Sequence, residues 1–117
     1  MKFLFILNDP PYGTERFYNA LRLAQSLAIA EPGTGLTMFL MADAVSGGHK
    51  NQKVPPGYYT VEKMLKQVIA VGGEVLLCGT CMDARGLAEA DLMEGARRST
   101  MPELAAATLA ADKVLVF

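Results

Sequence analysis

Cys78 and Cys81 are the only cysteines in the chain, and they bracket Gly79-Thr80. The apolar run Val75-Leu76-Leu77 leads straight into them, so Cys78 is expected to end a strand and face the start of a helix. A sulfur placed there lies against backbone N–H groups and the positive end of a helix dipole, and both favour thiolate over thiol. Gly79 allows a tight turn and the approach of a substrate sulfur to the backbone. Thr80 can bond a free N–H, and Arg85 adds a nearby positive charge. Cys78 and Cys81 are therefore the catalytic candidates, with Gly79, Thr80 and Arg85 in support. The same spacing also suits an inert half-buried pair, a thioredoxin-like dithiol or half of a zinc site. Zinc needs two more ligands; no second cysteine pair exists, and the single His49 reads as a solvated loop residue, so neither a metal nor a cofactor is implied.

The elements that must position this turn follow from apolar periodicity. Lys2 to Asn8 reads as a strand buried on both faces, ended by Asp9-Pro10-Pro11. Phe17, Ala20, Leu21, Ala24, Leu27 and Ala28 fall at helical spacing, with Thr14 as the expected N-cap and Pro32-Gly33 as the stop. Leu36 to Met41 is a second strand. Ala42 to Tyr59, rich in Gly, Pro, Asn and Lys, is a loop long enough to suggest a function, expected to lie beside the cysteine turn and shield it. A second helix runs from Val61 to Ile69, and Glu74 to Cys78 is the third strand. Met82 to Arg97 is expected to hold a short helix and a brief strand near Leu92. Thr100 and Glu103 match a capping box opening an Ala-rich helix to about Ala111, and Lys113 to Phe117 closes the chain as a strand.

Alternating apolar strands and helices imply an α/β domain with a parallel sheet, right-handed crossovers and helices on both faces. Ligands in such sheets gather beyond the carboxyl ends of the strands, where the loops after Asn8, Met41 and Cys78 should open together. Asp9 and Asp43 each follow a strand on that edge and could hold Tyr12, Arg85 or a loop amide. Helix caps and Asx-turns would place them there equally well. Gly33-Thr34-Gly35 and Gly47-Gly48 lack the Gly-Lys-Ser/Thr of a phosphate loop and read as turns. Arg97-Arg98 reads as a solvated face or a charge pair near an oligomer seam.

Composition narrows the classes further. The length of 117 residues, with 51% hydrophobic content, suits one well-filled domain. Eleven basic and twelve acidic residues are mixed along the chain, leaving no basic stripe for a nucleic-acid backbone. The five apolar residues Phe3 to Leu7 are too few for a secretory signal, and no stretch reaches transmembrane length, so a soluble, cytoplasmic protein is expected.

Asn8-Asp9-Pro10-Pro11-Tyr12-Gly13-Thr14, Phe39-Leu40-Met41-Ala42-Asp43-Ala44-Val45, and above all Cys78-Gly79-Thr80-Cys81-Met82-Asp83-Ala84-Arg85-Gly86-Leu87 give the chain a resemblance to the DsrE/DsrF-like family of sulfur-relay proteins, which includes TusD-type carriers. The closing Ala111 to Phe117 is similar to the family's last strand. The resemblance runs end to end and implies a single domain over 1–117, with a three-layer α/β/α fold around a mostly parallel sheet of about five strands. It implies that Cys78 accepts sulfane sulfur as a persulfide and passes it on, as a sulfur carrier or sulfurtransferase. The implied partners are donor and acceptor proteins or small sulfane-sulfur donors, and the implied assembly is a homotrimer or homohexamer. Many carriers have one cysteine in this turn; the additional Cys81 departs from that pattern and opens the way to a Cys78–Cys81 disulfide or to persulfide release by Cys81. A dithiol oxidoreductase and a non-catalytic partner-binding subunit are the competing readings. Leu87, Leu92 and Met93, which lack a helical stripe, are the expected apolar residues of a subunit interface.

Overall fold

The computed structural model describes residues 1–117 as one parallel sheet with helices on its faces. Strands β1 (Lys2–Leu7), β2 (Gly35–Leu40), β3 (Glu74–Cys78), β4 (Ala96–Ser99) and β5 (Lys113–Val116) lie in the order β4-β3-β2-β1-β5. The helices are α1 (Arg16–Ala30), α2 (Val61–Ala70), α3 (Gly79–Asp83) and α4 (Met101–Ala110), with short 3-10 segments at Ala42–Gly48 and Glu89–Asp91. From β1 to β4 the chain steps one strand at a time in one direction, and α1 and α2 pack side by side. It then returns through α4 to add β5 beyond β1. Right-handed crossovers with this reversal place α4 on the face opposite α1 and α2, giving three layers.

The central strands are apolar because both of their faces are covered. Phe5, Leu7, Met38, Leu40 and Leu77 are fully buried against Phe17 and Leu21 of α1 and Leu65 of α2. Truncating one such leucine to alanine costs about 2–5 kcal/mol. The connection after β2 is pressed onto this core: a Cβ on Gly48 would lie 2.7 Å from a Leu77 methyl carbon, so a larger residue there would have to displace the Leu77 side chain.

Three local expectations are corrected. The fourth strand is Ala96–Ser99, whereas Leu92 makes only an isolated antiparallel bridge with His49. Helix α1 is entered through Glu15 in the left-handed region (φ 65°), and no side chain caps it in the N-cap position. Thr14 instead accepts the Arg16 N–H at 3.4 Å and donates to Asp9 at 2.9 Å. At α4 half of the capping box forms: Thr100 accepts the Glu103 N–H at 3.3 Å, while the Glu103 carboxylate pairs with Arg97 at 2.8 Å.

Candidate functional site

Strand β3 ends at Cys78, and α3 begins at the next residue, so the Cys78 sulfur takes the place of an N-cap side chain. It accepts the Cys81 N–H at 3.4 Å and lies 3.3 Å from the Thr80 hydroxyl oxygen. Cys78 is 7% exposed, and burial pushes its thiol up. Hydrogen bonds from the Cys81 thiol, the Thr80 hydroxyl and the two backbone N–H groups outweigh that burial and hold it below the ordinary thiol value.

Cys81, half-buried, is driven the other way. Burial and its interaction with the Cys78 sulfur raise its thiol above the ordinary value, opposed by the Ala42 N–H and the charge of Arg85. Both cysteines are free. The two thus differ in acidity, with Cys78 the more readily ionised.

Arg85 belongs to the Cys81 side of the turn. It donates to the Cys81 carbonyl at 3.1 Å and to Asp43 at 3.1 and 2.9 Å, tying the end of α3 to the 3-10 segment after β2. A second cation, Arg98, lies against Gly79 next to Cys78, although its sequence reads as a solvated face or an oligomer seam. Arg98 comes from β4 and forks onto Asp83 at 2.7 and 2.9 Å. Its guanidinium lies across Gly79, where a Cβ would sit 2.7 Å from Nε. Close contact with this guanidinium is the structural reason for glycine at position 79. Arg98 is itself held more firmly protonated, chiefly by its bond to Asp83 and in smaller part by the Cys78 charge. Ser99, in register with Cys78 on the neighbouring strand, is also buried, and its hydroxyl has no partner.

The connection after β2 divides into two parts. Its first part, Ala42–Gly48, adjoins the cysteine turn and is stitched to the segment after α3 by Met93 N–H to Gly48 O and Lys50 N–H to Asp91 O, both 2.9 Å. The remainder ends in Tyr58 and Tyr59, which stack with Tyr12 and Tyr18. Tyr12 donates to Gln52 at 2.6 Å and accepts the Val61 N–H at 3.3 Å, so it braces this connection. Glu62 does the same, accepting the Asn51 and Gln52 N–H groups at 3.1 and 2.8 Å. Asp9 spends its carboxylate on Thr14 and Arg16 at the entry to α1. His49 is exposed, and its Nδ1 bonds the Lys50 carbonyl at 2.7 Å. Of the supporting candidates, Gly79, Thr80, Arg85 and Asp43 therefore converge on the cysteine turn, and Asp9 and Tyr12 find their partners elsewhere. No three His, Cys, Asp or Glu side chains cluster as metal ligands would.

A parallel sheet that delivers a cysteine pair into such a turn defines an α/β thiol protein, and comparison with known proteins gives its family. The chain belongs to the DsrE/DsrF-like family, whose profile matches residues 1–117. It is similar to protein YchN of Escherichia coli, at 43% identity over 116 residues, covering 99% of this chain and 98% of YchN. The YchN crystal structure superposes with a TM-score of 0.94, covering 100% of this chain and 99% of that one. Protein MJ0989 of Methanocaldococcus jannaschii is 41% identical over the full length of both chains. MTH1491 of Methanobacterium thermoautotrophicum shares the fold alone, with a TM-score of 0.81 at 11% identity, covering 99% and 98% of the two chains.

Proposed function

We propose that the protein is a sulfur-relay protein that accepts sulfane sulfur as a persulfide on Cys78 and gives it up to a partner. The observation that carries this reading is the placement of Cys78: its sulfur caps α3, accepting the Cys81 N–H at 3.4 Å and lying 3.3 Å from the Thr80 hydroxyl, and these bonds favour its ionisation over that of Cys81. Membership of a family associated with sulfur relay supports it. In the step itself, the Cys78 thiolate attacks the outer sulfur of a donor persulfide. A new S–S bond forms, the donor S–S bond breaks, and the donor leaves as its thiolate. Incubation of Cys81→Ser with polysulfide or a cysteine desulfurase, followed by mass spectrometry, should find one added sulfur on the Cys78 peptide, and Cys78→Ser should take up none. A Cys78 that stays unmodified with every donor would overturn the reading.

The competing dithiol oxidoreductase is favoured by one observation, the direct interaction of the two thiols. It predicts a reversible loss of two hydrogens with ordinary disulfides and no uptake of sulfur. Assembly as a homotrimer or homohexamer is part of the proposal, with a revised surface. Leu92 and Met93 are buried within the chain's own core, so they cannot supply the interface. The surface proposed instead is that of α4 and β5, where Met101, Leu109, Val114 and Val116 are exposed. Light scattering at low micromolar concentration should give a multiple of the 12.6 kDa chain mass. A clean monomer would remove this part of the proposal.

A further inference from the structure

Acceptance of a sulfur on Cys78 leaves one group of residues unused, and that group surrounds Cys81. Ala42 stands in the left-handed region (φ 48°), a conformation that a residue with a Cβ adopts only at a cost. Arg85, held by Asp43 at 2.9 Å, donates to the Cys81 carbonyl at 3.1 Å, so its positive charge stays beside this residue, and both that charge and the Ala42 N–H favour ionisation of the Cys81 thiol. A backbone donor in a strained conformation and an anchored guanidinium form a setting for a second anionic sulfur. What opposes ionisation there is burial together with the hydrogen bond and charge of Cys78. Once Cys78 carries a second sulfur, its Sγ is an electrophilic sulfur without charge, the hydrogen bond between the two thiols is lost, and the proton of the Cys81 thiol can pass to the outer sulfur, while Ala42 and Arg85 remain to favour the Cys81 thiolate. Cys81 then becomes the nucleophile of the turn, one helical turn from the sulfur it would attack.

We propose that Cys81 is the resolving thiol, which displaces hydrosulfide from the Cys78 persulfide and closes a Cys78–Cys81 disulfide that a partner dithiol then reduces. The proposal rests on Cys78 being the sulfur acceptor and specifies how the sulfur leaves. In the first step the Cys81 thiolate attacks Cys78 Sγ. The Cys78–Cys81 S–S bond forms, the bond to the outer sulfur breaks, and its electron pair leaves with hydrosulfide. In the second step a dithiol attacks the disulfide, returns both cysteines to the reduced state and is itself oxidised to a disulfide. One sulfane sulfur is thus reduced to hydrosulfide for each dithiol oxidised.

The test loads the reduced protein with polysulfide, removes the excess by rapid desalting, and follows both hydrosulfide and intact mass without added thiol. Wild type should release about one hydrosulfide per loaded sulfur and end two hydrogens lighter than the reduced chain. Cys81→Ser and Cys81→Ala should load and hold the added sulfur on Cys78 until a dithiol is supplied. Arg85→Gln should slow the release by about threefold to tenfold per loaded sulfur. If loaded wild type keeps its extra sulfur as long as Cys81→Ser does, or Cys81→Ser discharges as fast as wild type, the resolving role is wrong while sulfur acceptance stands. If no variant takes up sulfur, the acceptor reading falls and this inference with it.

Discussion

Cys78 and Cys81 are separated by two residues, yet different parts of the fold hold them. Cys78 is served by its own turn, through Thr80 and the Cys81 N–H, and by Arg98 reaching across from β4. Cys81 is served from the neighbouring connection, through the Ala42 N–H and the Arg85–Asp43 pair. Each side has a backbone donor and an arginine anchored by an aspartate. The difference lies in their mutual influence: each thiol interacts with the other, and the shared arrangement lowers Cys78 and raises Cys81. Two chemically identical side chains are thereby ordered in time, with one sulfur ready first and the other restrained until the first has reacted.

The largest expected effect breaks the comparison outright. Limiting iodoacetamide near neutral pH should label Cys78 in preference to Cys81 by about tenfold or more, as read by peptide mapping. Cys78→Ser should remove the fast phase, and Cys81→Ser should retain it. Faster labelling of Cys81 would reverse the assignment.

A smaller effect sharpens the division of the two arginines. A nearby cation favours the thiolate, so its loss raises the thiol pKa and moves the midpoint of the pH–rate profile to higher pH. Arg98→Gln should shift the Cys78 profile in that direction and slow its alkylation at neutral pH by about threefold. Arg85→Gln should move the Cys81 profile more than that of Cys78. Gly79→Ala should mimic Arg98→Gln, because its Cβ would sit 2.7 Å from Arg98 Nε and displace the guanidinium. Equal shifts at both cysteines from either arginine variant would dissolve the two-sided picture.

The order of elements was legible because β1, β2 and β3 are unbroken apolar runs and α1 and α2 carry clear stripes. The nucleophile turn was legible because its two cysteines stand at the end of such a run. β4 was not, since Ala96-Arg97-Arg98-Ser99 has neither apolar character nor alternation. It is an edge strand, where charged side chains cost little and discourage further pairing. Missing that strand meant missing Arg98, because only the pairing of Cys78 with Ser99 brings it over Gly79. Leu92 and Met93 are legible only as apolar residues for a related reason: they lie in the segment after α3, which follows no period, and their burial comes from its pairing with Gly48 and His49. Arg85 was found by its closeness in sequence but assigned to the wrong sulfur, a matter of direction that spacing does not encode.

The smallest expected effect concerns Ser99, whose position beside Cys78 has no counterpart at Cys81. Its side chain is 2% exposed, and its hydroxyl has no hydrogen-bond partner. A buried hydroxyl without a partner forfeits its hydration and gains nothing in return, so its removal should not cost the penalty that removal of a satisfied one would. Ser99→Ala in the reduced protein should therefore match wild type or exceed it by up to about 1 kcal/mol in denaturant unfolding. Thr80→Val provides the contrast, since the Thr80 hydroxyl lies 3.3 Å from the Cys78 sulfur and its loss should move the Cys78 alkylation profile to higher pH. A Ser99→Ala variant clearly less stable than wild type would show that the hydroxyl is satisfied after all.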